Sequence, residues 1–157
     1  MPKPSLKIEK VVINCSLSEM PHDEKLREIV FNDLAIITGQ KPILRTARKA
    51  IAGFKIRQGV PIGAKITLRG KRMRHFVERL VNIALPRTRD FRGIEKKAFD
   101  GRGNLTIGVK EHIVFPEIHP EDIKQVFGFE ITVVTNTKND EQGAKLLKSL
   151  GFPIKNI

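Results

Sequence analysis

The sequence contains no tryptophan and no tyrosine, and it has a single cysteine, Cys15. One cysteine cannot form an internal disulfide or a zinc cluster, so Cys15 is predicted to be a small apolar residue in or beside a strand. The nine phenylalanines supply all of the large aromatic rings, and Phe31, Phe54, Phe76 and Phe129 occupy apolar-periodic positions typical of a core. This composition argues against a surface that stacks aromatic rings on single-stranded bases.

Long apolar runs are also missing. No segment approaches the roughly 20 consecutive apolar residues that span a bilayer, and the N-terminus has no apolar segment of the kind found in a secretory signal. Internal repeats and proline- or glycine-rich linkers do not occur, and a length of 157 residues is typical of one domain. The sequence therefore predicts a single domain over residues 1–157, in the cytoplasm and without membrane contact.

Acidic residues are absent between Asp33 and Glu78, whereas residues 39–75 carry eleven lysines and arginines. The formal net charge is +12 and the pI is about 10.1. Because a cationic protein gains affinity for a polyanion by releasing its counterions, this distribution predicts a nucleic-acid partner. Residues 111–141, the acid-rich segment, contain seven acidic residues and only two cationic ones, Lys124 and Lys138. We therefore expect one side of the molecule to be positively charged and another to be negatively charged.

The apolar periodicity predicts an α+β fold in which helices pack on one face of a mostly antiparallel sheet. Lys10 interrupts the alternation of the first strand and predicts a bulge, and Asp33 is expected to face water on the first helix. Residues 87–104 fit neither period and are interpreted as a long functional loop. The predicted strands cover 6–14, 53–57, 64–69, 105–110 and 129–135, and the predicted helices run from after Pro21 to Gly39, from Lys71 to Pro86 and from Asn139 to Gly151.

Residues 53–57 and 64–69 are each apolar on one face and basic on the other. Their connector, QGVPIG at 58–63, combines two glycines with a proline and therefore predicts an exposed loop. We expect these segments to form a basic hairpin with a protruding loop.

Patterns for catalysis or metal binding are weak. His112, Glu117, His119 and Asp122 lie close in sequence, but the two histidines are seven residues apart with prolines between them, which matches no common ligand spacing. Nothing in the sequence places a base beside Cys15. The sequence therefore predicts no enzyme, no metal and no cofactor.

Asn14, Gln40 and Thr67 are short polar residues among basic neighbours. Such groups can bond riboses or base edges once lysines and arginines have set the register on the phosphates. Each of the three could equally cap a helix or close a turn. We expect the protein to recognise RNA through contacts with phosphates and 2′-hydroxyls and through the shape of the folded RNA.

The stretch GQKPILRTARKAIAGFKIRQGVPIGAKITLRGKRM, residues 39–73, resembles the bacterial-type family of large-subunit ribosomal protein five, which binds 5S ribosomal RNA. The resemblance continues through PRTRDFRGI at 86–94, FDGRGNLTIGVKEHIVFPEI at 99–118 and ITVVTNTKNDEQGAKLL at 131–147. It departs from the family before the first strand, where the usual N-terminal helix has no counterpart, and at Cys15–Ser18, where the family has a glycine-bearing turn.

The resemblance implies a structural role in the central protuberance of the large subunit. Implied partners are 5S rRNA, which the protein attaches to the large-subunit rRNA, the peptidyl-site tRNA, and small-subunit head protein thirteen. The 5S rRNA-binding residues predicted from the resemblance and the charge pattern are Asn14, Gln40, Lys41, Arg45, Arg48, Lys49, Lys65, Thr67 and Arg69. The predicted tRNA-contacting loop contains Lys55, Arg57, Gln58, Gly59, Val60, Pro61 and Gly63. Two alternatives stay open: an RNA chaperone or regulatory RNA-binding protein outside the ribosome, and a small basic enzyme acting on RNA.

Overall fold

The computed structural model describes residues 5–17, 24–46, 59, 61–89 and 91–155. Five strands form one sheet in the order β2-β3-β1-β5-β4, and every neighbouring pair is antiparallel. Helices pack on one face of this sheet, which confirms the predicted α+β class. The strands are β1 (Ile8–Ser16), β2 (Ile43–Thr46), β3 (Pro61–Leu68), β4 (Leu105–Val109) and β5 (Phe129–Thr135), and the helices are α1 (Glu24–Thr38), α2 (Gly70–Arg79), α3 (Leu85–Arg87) and α4 (Asp140–Ser149).

The central strand β1 shows why the sheet has two different faces. Val11, Ile13 and Cys15 are buried against the helices, whereas Val12 and Asn14 point to the other face and are half-buried. This alternation follows from the two-residue period of a strand. The pairing of β1 with β5 shifts register between Ile8 and Lys10, which confirms the predicted bulge.

The helix α1 buries Val30, Leu34 and Ile37, the stripe expected from its 3.6-residue period. It ends where Gly39 takes a positive φ of 75°, as predicted for a glycine at a helix C-terminus. Phe76 in α2 is fully buried and stacks on Phe115 with ring centroids 5.6 Å apart. The helices thus close the apolar core on one side of the sheet.

The second helical segment does not stop at Pro86. After α2 the chain makes a π turn over Leu80–Ala84 and continues into α3, with Pro86 in its first turn. Pro86 has no N–H to donate to a carbonyl of the preceding π turn, and the helical segment ends one residue later, at Arg87. The π turn is closed by the Leu85 N–H, which donates to the Leu80 carbonyl.

The strand β3 pairs with β2, which was not predicted, so the expected hairpin of residues 53–57 with 64–69 stays a prediction. Sequence reasoning missed β2, which pairs with β3 through Ile43 opposite Lys65 and Arg45 opposite Gly63. Pro61 to Gly63, expected in the exposed loop, therefore belong to β3, because β1 and β2 both provide hydrogen-bonding partners there. The strand predicted over 53–57 lies outside the described residues.

The last helix begins as predicted at Asn139, whose side-chain oxygen accepts a 2.9 Å hydrogen bond from the Gln142 N–H. Leu147 is buried, but Leu150 is 49% exposed and does not belong to the apolar side that was expected to include it. Gly151 follows with φ 99° and ends the helix. Every helix in the described part of the chain is too short or too polar to cross a membrane.

Candidate nucleic-acid interface

The face of the sheet opposite the helices brings three of the predicted RNA-binding residues together. Asn14 of β1 lies directly opposite Lys65 of β3, and the next pair on the same face is Val12 with Thr67. Residues opposite each other in an antiparallel pair have Cβ atoms about 5 Å apart. Asn14, Lys65 and Thr67 are all half-buried on this face.

Gln40 joins this group from the end of α1. Its Nε2 donates a 3.0 Å hydrogen bond to the Thr67 carbonyl, and its Oε1 accepts a 3.5 Å hydrogen bond from Nη1 of Arg72. Gln40 therefore links the end of α1 to β3 and lies beside Thr67. Arg72 was missed as a member of this group, although it lies only three residues after the basic Arg69 in the sequence.

Cations surround these polar groups. Lys41, Arg45 and Arg69 are exposed, and none of them forms an ion pair with a residue that the structure describes. Free, hydrated cations can exchange their counterions for phosphates without first breaking an internal contact. We call the group the sheet surface; its members are Asn14, Gln40, Lys41, Arg45, Lys65, Thr67, Arg69 and Arg72.

The electrostatic character of the open face changes at β1. On the side away from β3, Asn14 lies opposite Glu130, which is exposed. The hydroxyls of Thr106 and Thr132 bond to each other at 3.3 Å farther along the same face. The cations of the sheet surface that lie on strands are therefore on the β2 and β3 side of β1.

A groove of about 640 Å³ continues the open face at the end where β1 meets Gly63 of β3. Arg45 and Lys110 both line it, and Gly108 and Gly128 leave part of its wall without side chains. A methyl group added at Gly108 would have no neighbour within 4 Å, so a ligand can approach the backbone there.

Several predicted residues are not placed. Arg48, Lys49, Lys55, Arg57, Gln58 and Val60 lie outside the described residues. Gly59 lies in a turn with φ 86°, a conformation that favours glycine. Pro61 and Gly63, predicted as part of the tRNA-contacting loop, lie in β3 as described above.

Cys15 is an apolar residue in a strand, as predicted, but it is buried in the core rather than half-buried. It is 3% exposed, and burial raises the pKa of its thiol to about 11. The thiol therefore stays protonated at neutral pH and is a poor nucleophile. Within the described ranges, no group of three or more histidine, cysteine, aspartate or glutamate residues is arranged to hold a metal ion.

The expectation that Asp33 faces water is wrong. Its Oδ2 lies 3.0 Å from Nε2 of His112, which is fully buried and stacks on Phe127 with ring centroids 4.0 Å apart. The Phe127 N–H donates to His112 Nδ1 at 3.4 Å, so the neutral ring carries its proton on Nε2 and donates it to Asp33. Burial lowers the pKa of His112, which favours this neutral form.

The first part of the acid-rich segment (residues 111–141) lies beside α1, whereas its Glu130 lies in β5 on the open face of the sheet. A cleft of about 470 Å³ is lined by Asp33, Glu117, Asp122 and Ile36, among others. Glu117 pairs with Arg79 of α2, whereas Asp122 is exposed. The acids of this cleft thus lie on a different side of the fold from the sheet surface, although Glu130 borders that surface.

Comparison with known proteins agrees with these features. Two family profiles match: that of ribosomal protein L5 over residues 3–57, and that of the C-terminal region of the ribosomal L5 family over residues 61–154. Two relatives, from Halothermothrix orenii and a Synechococcus strain, are both named large ribosomal subunit protein uL5 and are 54% identical to this chain. The first similarity covers 94% of this chain and 82% of the relative, and the second covers 96% and 84%.

A third relative of the same name, from Brevibacillus brevis, is 52% identical over 95% of this chain and 83% of its own length. The matches include β1, the hairpin of β2 and β3, and the acid-rich segment. The chain therefore belongs to the ribosomal protein L5 family, a family of structural, non-enzymatic components of the large ribosomal subunit.

Proposed function

We propose that this chain binds 5S rRNA in the large subunit through the sheet surface. The proposal is supported by the proximity of four polar residues where β1, β3 and the end of α1 lie side by side: Asn14, Lys65, Thr67 and Gln40. Three of these residues were predicted from the family resemblance and the fourth from the charge pattern. Their convergence on one solvent-facing region is what a single RNA contact requires.

In this proposal the cationic side chains and the short polar side chains have different roles. Lys41, Arg45, Lys65 and Arg69 neutralise phosphates and supply most of the affinity, with a strong dependence on salt. Asn14 and Thr67 offer short donors and acceptors that reach a 2′-hydroxyl or a base edge. Because the paired strands β1 and β3 hold them at fixed spacing, they set the register of the RNA.

The experiment is a titration of 5S RNA with the protein at several salt concentrations. Each phosphate contact contributes about 0.9 to the slope of log affinity against log salt, so Arg69→Ala is expected to lower the slope by about 0.9. Lys148→Ala is the matched control, because Lys148 is an exposed cation on α4, on the helix side. An unchanged slope for Arg69→Ala contradicts the assignment.

A second part of the proposal is that residues 55–63 contact the peptidyl-site tRNA. Deleting residues 59–63 is a poor test, because Pro61 to Gly63 pair with β2 and β1. Replacing Arg57 and Gln58 together by alanine avoids this problem. We expect weaker retention of peptidyl-site tRNA by the ribosome with unchanged affinity of the protein for 5S RNA, and a fall in 5S affinity would show that the segment has been misassigned.

The acid-rich segment is the part that we propose to face the basic small-subunit head protein thirteen. The exposed Glu121 and Asp122 carry its charge beside the cleft. Crosslinking from position 121 in assembled ribosomes tests this contact. Crosslinks to small-subunit protein are expected, and crosslinks only to RNA refute the contact.

A role outside the ribosome, as an RNA chaperone or regulator, is the alternative proposal. Sedimentation of a cell extract separates the two. Stoichiometric comigration of the protein with large subunits supports the ribosomal function, whereas a mainly free protein favours the alternative.

A further inference from the structure

Arg72 in the first turn of α2 is an exposed cation whose charge the fold itself does not need. The helix dipole disfavours a positive charge in a first turn, and this turn contains no acidic residue that would offset it. Arg72 also forms no ion pair with any residue that the structure describes. Its charge therefore neither stabilises α2 nor completes a salt bridge within the described part of the chain.

Gln40 holds the guanidinium of Arg72 from one side. Nη1 of Arg72 donates a 3.5 Å hydrogen bond to Gln40 Oε1, and Gln40 Nε2 donates at 3.0 Å to the Thr67 carbonyl. The two partners fix the orientation of the amide, because a flipped amide would set its oxygen against the Thr67 carbonyl and its N–H groups against those of Arg72. Thr67 and Arg72 are thus joined through one oriented side chain.

The backbone of Gln40 is itself anchored to the core. Thr38 is buried, and its hydroxyl accepts a 3.2 Å hydrogen bond from the Gln40 N–H and donates to the Leu34 carbonyl at 2.8 Å. Gly39 makes the turn between Thr38 and Gln40 with φ 75°. Because Gln40 is held in place before a ligand arrives, less entropy is lost when it orients Arg72 for binding.

The other edge of the Arg72 guanidinium is available to a ligand. Its Nε and Nη2 groups make no hydrogen bond to any residue in the described ranges, since only Nη1 is engaged. These two groups form one side of a planar fork and can donate two parallel hydrogen bonds to two oxygens of one phosphate. A lysine carries the same charge but has no such fork.

We propose that Arg72 is a specificity-determining residue of the sheet surface: Gln40 orients its guanidinium so that the free edge binds one phosphate of 5S RNA by a paired contact. This inference rests on the proposed function and deepens it. The other cations of the surface act mainly through charge and attract any RNA backbone. A paired contact from an oriented guanidinium requires a phosphate in one place and one orientation, so it favours the folded 5S RNA over other RNA of equal charge. Gln40 is a positioning residue in this contact, and its second Nε2 N–H is left for the RNA.

The test measures the affinity of the full chain for 5S RNA and for an unrelated RNA of the same length, at several salt concentrations. Arg72→Lys keeps the charge and the helix propensity but removes the paired contact. Its affinity for 5S RNA is expected to fall about tenfold at an unchanged salt slope, while its affinity for the unrelated RNA stays within about twofold of the wild type. Arg74→Lys is the matched control, because Arg74 is exposed on the same helix and forms no hydrogen bond with a described residue. Arg72→Lys that binds 5S RNA like the wild type, or that weakens both RNAs equally, overturns the inference.

A double-mutant cycle with 5S RNA tests the role of Gln40. Gln40→Ala and Arg72→Ala are each expected to weaken binding, and the double variant to bind at least about threefold more tightly than the product of the two single effects. Such coupling is expected because removing either side chain already disrupts the same contact. Effects that simply multiply would show that Gln40 does not position Arg72.

Lys65→Gln, measured in the same assay, separates this inference from the proposed function. Lys65 acts through its charge, so its replacement is expected to weaken the binding of both RNAs. If Lys65→Gln weakens binding of 5S RNA and Arg72→Lys does not, the proposed function stands and the inference alone fails. If the wild type binds 5S RNA no more tightly than the unrelated RNA, the proposed function fails and the inference fails with it.

Discussion

His112 and Asp33 form a buried pair that joins α1 to the acid-rich segment, with Nε2 3.0 Å from Oδ2 across 79 positions of sequence. The ring is held on its other side by the Phe127 N–H and by stacking on the Phe127 ring. Because both ring nitrogens have partners, the pair fixes the position of residues 112–127 relative to α1. The contact that we propose for the acid-rich segment depends on this placement.

Replacing Asp33 by alanine is expected to lower the free energy of unfolding by about 1–3 kcal/mol. The substitution leaves the Nε2–H of a fully buried histidine without an acceptor, and that loss has this magnitude. Glu28→Ala on the same helix is the control, because Glu28 is exposed and should change stability by less than about 0.5 kcal/mol. Urea denaturation measures both, and equal effects of the two substitutions would rule out a stabilising role for the pair.

Stability should fall as the pH drops below about 6.5, the ordinary pKa of histidine. Burial lowers the pKa of His112 in the folded protein from 6.5, so below that pH the unfolded chain binds a proton that the folded chain does not. Protons therefore favour unfolding, by up to about 1.4 kcal/mol per pH unit. The measurement is the free energy of unfolding between about pH 7 and pH 5, above the range in which carboxylates titrate.

The matched variant for the pH experiment is His112→Gln, which keeps a donor for Asp33 but does not titrate. Its stability should change less with pH than that of the wild type over the same interval. The same slope in both proteins would show that His112 is not the group responsible.

Gly143→Ala should destabilise the protein by about 1–3 kcal/mol, although alanine is the better helix former. A Cβ at Gly143 would lie 2.6 Å from the Gly103 carbonyl oxygen, and backbone cannot move aside as a flexible side chain can. Gly108→Ala is the control, since its Cβ would have no neighbour within 4 Å. Thermal denaturation measures the stability of both variants. A Gly143→Ala protein more stable than the wild type would contradict the prediction and would show that the loop containing Gly103 moves without loss of stability.

The sequence predicted those parts of the fold that local patterns determine. Alternation located β1 and its bulge, and the 3.6-residue period located α1 and α2. The strand β2 was missed because all four of its residues are exposed, so Ile43 and Leu44 give no alternation between a buried and a solvent face. Pairing with β3, which depends on the tertiary structure, creates this strand.

The contacts of Asp33, Gln40 and Arg72 were also missed because they depend on the tertiary structure. Asp33 lies between Val30 and Ile37 on the buried side of α1, so the helical period itself placed it in the core, and only its charge suggested water. Its partner is far away in the sequence and no local pattern reveals it. Similarly, the resemblance implied roles for Gln40 and Thr67, but their hydrogen bond and the nearby Arg72 follow only from the folded chain.

Asn14 is flanked on the open face by Lys65 on one side and Glu130 on the other, and this arrangement gives the most direct test of RNA binding by the sheet surface. The measurement is the affinity for 5S RNA of Lys65→Gln and Glu130→Gln over a range of salt concentrations. Lys65→Gln should weaken binding and lower the salt slope by about 0.9, while Glu130→Gln should bind at least as tightly as the wild type. Wild-type binding by Lys65→Gln, or equal weakening by both variants, would contradict the account.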